Sequence, residues 1–77
     1  MKKFSIYKLI KQIMQVVWRK YEIGKLDNVL EERTFDTPTV RHSAKQLAFD
    51  VKGEVPYWGT SVYQGMFVWF FQIIKYV

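Results

Sequence analysis

Seventy-seven residues make one domain at most, and a chain this short is marginal on the strength of its own core. The sequence holds no cysteine, which excludes disulfides, thiolate zinc sites, iron–sulfur clusters and a cysteine nucleophile. It is 49% hydrophobic and 18% aromatic with a net charge of +5, more apolar material than a small core hides, so an oligomer, a larger complex or a membrane is expected to absorb the excess.

The charge is unevenly spread. Residues 1–34 carry eight basic and four acidic side chains, residues 35–55 carry three of each, and residues 56–77 carry Lys75 alone. Before Glu22 there are six bases and no acid.

The spacing predicts an amphipathic helix over residues 2–22. Ile6, Leu9, Ile10, Ile13, Met14, Val16, Val17 and Tyr21 fall on one arc, with Lys8, Lys11, Gln12, Gln15 and Arg19 opposite. Lys20 lies at the apolar edge, where its stem can rest on hydrophobic surface, and Trp18 lies on the boundary between the faces. Three roles suit such a helix. It packs on a core with a basic solvated face, or it lies in a membrane interface with lysines on anionic headgroups. In the third role Lys8, Lys11, Arg19 and Lys20 contact nucleic-acid phosphates, though no base-reading motif accompanies them. The acid-free start also resembles an organelle targeting helix, but arginine is too scarce for a cleaved presequence. Lys8 and Lys11 interrupt any secretory apolar run.

Gly24 punctuates the chain. The next stretch, KLDNVLEERTF, reads as a short helix, with VLEERTF as an edge-strand alternative. Glu31 and Glu32 read as a solvated face or partners of Arg33 rather than a catalytic pair, since neighbours on a helix diverge by about 100°. Thr37–Pro38 is a helix start, and Val40, Ala44, Leu47, Ala48 and Val51 make one narrow apolar face, predicting a helix over residues 38–52 that stops at Gly53. His42 lies off that face without a second ligand nearby. Ser43 directly follows it, so their side chains diverge and proton transfer between them is blocked.

Residues 53–56 read as a turn broken by proline. The segment 56–77, PYWGTSVYQGMFVWFFQIIKYV, carries one charge. As a helix it reaches roughly 33 Å, about the hydrocarbon thickness of a bilayer. Tyr57, Trp58 and Tyr63 at one end and Lys75 and Tyr76 at the other have the character of interfacial anchors. Ser61 and Gln64 form a capping box that shortens the helix to about 24 Å. On a helix Gln64, Val68, Gln72 and Lys75 share a polar stripe, while Met66, Trp69, Phe70, Ile73 and Val77 fill the other side. Periodicity alone does not separate a buried helix from a buried strand here.

The chain has no phosphate loop, nucleophile elbow, zinc-protease motif or calcium loop. The sequence therefore predicts a mainly α subunit: an N-terminal amphipathic helix, one or two short middle helices and an apolar, aromatic C-terminal helix inserted in a membrane. The expected function is non-enzymatic. It is an accessory subunit of a larger membrane-embedded complex, touching lipid or partner subunits through Lys8, Lys11, Trp18, Arg19, Lys20, Tyr57, Trp58, Gln64, Trp69, Gln72 and Lys75. No cofactor, metal or small-molecule substrate is implied. By the positive-inside rule its N-terminus faces cytosol or matrix. The alternative is a small soluble, cytoplasmic binding protein, a phage-type inhibitor or a nucleic-acid-associated module, whose aromatic C-terminus forms the core or a dimer interface.

Overall fold

A computed structural model of the chain describes residues 13–57 and 59–76. Five elements follow in order: β1 (Met14–Glu22), β2 (Glu31–Thr37), α1 (Val40–Val51), β3 (Ser61–Gln64) and β4 (Phe67–Tyr76). The strands form one antiparallel sheet in the order β2-β1-β4-β3. The mainly α expectation is overturned, and with it both the amphipathic helix over 2–22, as far as it is described, and the inserted C-terminal helix. No helix among the described residues is long and apolar enough to cross a membrane. Four of the six bases of the predicted helix, Lys8 and Lys11 included, lie outside the described residues.

The physical reason lies in the period. In β1 the side chains alternate: Met14, Val16, Trp18 and Lys20 point to one face, Gln15, Val17, Arg19 and Tyr21 to the other. Val16 and Val17 are both buried, one on each face. An apolar pair like this fits a helical arc as well as it fits a strand with two packed sides. The β-branched and aromatic side chains suit a pleated surface, and the long-range partners decide the outcome.

The C-terminal segment behaves likewise. Gly65 and Met66 form a two-residue turn between β3 and β4, with Gly65 at φ +59°, as the first position of a II′ hairpin requires. Gln64, expected to cap a helix, instead accepts a hydrogen bond across the hairpin from Trp69 Nε1 at 3.0 Å.

α1 packs on one face of the sheet. Ala44, Leu47 and Ala48 meet Val16, Trp18, Val62 and Trp69, with Phe35, Phe71 and Ile73 around them. Trp18 is fully buried. Its Nε1 donates to Ser43 Oγ at 2.9 Å, and its ring tilts against Phe71 at 5.6 Å between centroids. Ser43 Oγ in turn donates to the Val40 carbonyl. α1 lies inside the predicted 38–52 stretch, but its cap is Thr39 rather than Thr37: Thr39 Oγ1 accepts from the His42 N–H at 3.0 Å. Its left-handed terminal residue is Lys52, φ +57°, rather than Gly53. Gly53 is required for another reason. A Cβ there would stand 2.6 Å from the Tyr63 carbonyl, where Glu54 and Tyr63 exchange both main-chain hydrogen bonds. The KLDNVLEERTF stretch is a connection followed by the edge strand β2 rather than a short helix.

Candidate binding face

The sheet has two unlike faces. One is the core beneath α1. On the other, no described element packs. Cross-strand register assigns to it Gln15, Val17, Arg19 and Tyr21 of β1, Glu32, Thr34 and Asp36 of β2, Val68, Phe70 and Gln72 of β4, and Ser61 and Tyr63 of β3. Val17, Val68 and Ser61 are buried, while Tyr63 and Phe70 stand exposed. Tyr21 and Phe70, on the two central strands, lie 6.0 Å apart in a tilted pair.

Arg19 crosses this face. Its Nε donates to Glu32 Oε2 at 2.7 Å and its Nη1 to Gln72 Oε1 at 2.7 Å, tying β2, β1 and β4 together. Both charges are partly exposed, so the pair contributes about 0.2–1 kcal/mol. Its larger effect is geometric, because bonds to strands on both sides fix the guanidinium across the centre of the face, in register with Phe70. The face combines tyrosine, phenylalanine and arginine, the residue types enriched where proteins meet.

The sequence-derived contact residues divide between the two faces. Arg19 and Gln72 meet on the helix-free face. Lys75 projects on the same side farther along β4, opposite Gln15. Lys20 lies on the helix side, with its ammonium 4.4 Å from the Phe67 ring centroid, 5.8 Å from that of Trp69 and 3.9 Å from Glu31. Trp18 and Trp69 are core residues, not boundary anchors. Gln64 is half-buried on the helix side, away from Gln72, so the polar stripe expected of a helix is split by the pleat. Tyr57 is exposed in the loop after α1, and its carbonyl accepts from Arg41 Nη2. Trp58, Lys8 and Lys11 lie outside the described residues.

The sequence reading missed Glu32 and Tyr21 as members of this face. A period-two reading of residues 14–22 would have aligned Arg19 and Tyr21 on one side.

A second apolar patch caps one end of the sheet. Ile23, Leu26, Val29 and Leu30 of the β1–β2 connection are exposed there with Met66 of the hairpin turn, joined where the Ile23 N–H donates to the Met66 carbonyl at 3.0 Å. No cluster of metal-ligating side chains occurs among the described residues. His42 is exposed, whereas Ser43 Oγ is occupied by Trp18 and the Val40 carbonyl.

Comparison with protein-family models, curated proteins and solved structures gave no match.

Proposed function

We propose that this chain is a small non-enzymatic binding protein that presents the helix-free face of its sheet to a protein partner. The observation that carries this reading is that face itself. Exposed Tyr63 and Phe70 flank a buried centre and a fixed arginine, and no described element covers them. Aromatic and arginine side chains held rigidly lose little entropy on binding and make good anchors.

Charge favours a protein over a nucleic acid for this face. Residues 13–76 carry eight basic against seven acidic side chains, one net positive charge, and β2 brings Glu32 and Asp36 to the face itself. Phosphate recognition needs a concentrated positive surface. The remaining four lysines all lie in the first twelve residues.

The test is site-specific photo-crosslinking in the native host, with p-benzoylphenylalanine at position 63 or 34 and, as a control, at position 45 on α1. The expected result is one discrete protein adduct from 63 and 34, absent from 45 and lost when Phe70→Glu is added. Equal labelling from all three positions, or none, overturns the reading. A single-stranded oligonucleotide that binds tightly and is released steeply by salt would replace it with the nucleic-acid alternative.

A further inference from the structure

β4 is ten residues long and β3 only four, so β3 pairs with β4 no farther than Ser61 opposite Phe70. Beyond that point Phe71–Tyr76 has β1 on one side and no strand of the described residues on the other.

The direction of its free main-chain groups follows from the hydrogen bonds of Tyr63. Tyr63 exchanges both of its bonds with Glu54, away from β4. Val62 and Gln64 therefore turn theirs toward β4 and meet Trp69 and Phe67. Continuing that alternation, Phe71 and Ile73 direct N–H and C=O into the gap beyond β3. An unpaired strand edge is a template for another strand.

We propose that this overhang pairs antiparallel with the same overhang of a second copy of the chain, joining the two sheets edge to edge. The two open edges of the sheet differ in the way this requires. At the β2 edge, self-pairing about Thr34 sets Glu32 against Asp36 of the other copy, twice, and self-pairing about Arg33 sets arginine against arginine. Like charges directly opposite destabilise a strand pair, so β2 is guarded against its own kind. Between Phe67 and Ile74, β4 carries no charge at all.

The self-pairing of Phe71–Tyr76 sets Phe71 opposite Tyr76 of the second copy and Gln72 opposite its Lys75, with the bulged Ile73–Ile74 segments of the two copies meeting at the centre. No like charges meet. The bulge in β4 makes the register possible. Val16 pairs with Ile73 but Gln15 pairs with Lys75, so Ile74 is the extra residue. Lys75 is thereby brought to the same face as Gln72, and Tyr76 to the same face as Phe71, as residues directly opposite one another must be. Registers that slide the second copy farther along β4 collide with Ser61 and the chain leading into it. The six-residue gap is filled by a six-residue overhang, in both directions at once.

A strand pair of this length covers less than the roughly 800 Å² per partner of a standard interface, so the dimer is expected in the micromolar range. It leaves Tyr21, Phe70 and Tyr63 uncovered, and it stands or falls independently of the partner-binding reading.

Sedimentation velocity of the full chain over a concentration series tests the proposal, with circular dichroism reporting the fold of each variant. The wild type is expected to shift from monomer to dimer with concentration. Gln72→Glu keeps a partner for Arg19 and meets Lys75 of the second copy at two symmetric positions, so it should tighten the dimer about fivefold. Adding Lys75→Glu sets acid against acid and should return a folded monomer. Hydrogen exchange should slow at the amides of Phe71 and Ile73 as the dimer fills. A wild type that stays monomeric to its solubility limit overturns the proposal, and so does a dimer indifferent to the charges at 72 and 75.

Discussion

The buried polar contact between Trp18 and Ser43 shows how a single atom can fix a packing arrangement. Trp18 Nε1 has one partner in the core, Ser43 Oγ, at 2.9 Å. Ser43→Ala leaves that donor buried and unpaired, and is expected to cost about 1–2 kcal/mol in urea unfolding. Two adjacent residues beyond α1 act in opposite directions. Lys52 is held at φ +57° although it has a Cβ, so Lys52→Gly should stabilise by about 0.5–1 kcal/mol. Gly53 has no room for a Cβ against the Tyr63 carbonyl, so Gly53→Ala should destabilise by about 2 kcal/mol or more. Thermal melts of the two variants should move in opposite directions; a parallel shift would contradict the backbone geometry at this corner. From the sequence, Gly53 suggested a helix stop, and the carbonyl that excludes its side chain belongs to a strand ten residues later. A contact of that kind has no local signature.

At the level of elements, legibility followed locality. α1 could be read because its period, its polar cap and the proline before it all lie within the same fifteen or so residues. Even so, Thr39 rather than Thr37 became the cap. Thr39→Ala is expected to cost about 1 kcal/mol, measured by chemical denaturation. Thr37 is buried and donates to the Thr39 carbonyl, so it shapes the approach to the helix instead of its first turn. The strands were not legible in the same way. β1 contains apolar residues on both faces, and its neighbours β2 and β4 are fixed by side chains far away in the chain. The glutamines of the C-terminal third were grouped by a helical period, yet Gln64 and Gln72 serve different faces of the sheet, one holding Trp69 Nε1 and the other Arg19. The candidate face was half visible. Arg19, Gln72 and Tyr63 were singled out from the sequence, whereas Tyr21 and Glu32 acquire meaning only through cross-strand register.

For the molecule as a whole, the apolar excess noted in the composition is only partly absorbed by the core. Val16, Trp18, Leu47, Val62 and Trp69 are fully buried, while Ile23, Leu26, Phe49, Tyr57, Met66 and Tyr76 are each more than half exposed. The exposed set lies at the sheet's end, on the outside of α1 and along the β4 overhang. Edge pairing draws on Tyr76 of this set, while the partner-binding face uses the less exposed Tyr63 and Phe70. The sheet is built mainly from non-local pairs, so refolding is expected in milliseconds to seconds rather than microseconds. Stopped-flow fluorescence measures it, and a microsecond phase carrying the full amplitude would contradict the topology.

The order β2-β1-β4-β3 also has a consequence during synthesis. β1 lies second in the sheet and is made before both of its neighbours, and its main partner is β4. The residues they pair are separated by 45 positions at Glu22–Phe67 and 62 at Met14–Tyr76. Until β4 has left the ribosome, the β1–β2 hairpin and α1 face one another without Trp69, and the inner edge of β1 is bare. A nascent chain of this protein therefore waits, with its central strand unsheltered, for a nearly uncharged strand that is made more than forty residues later.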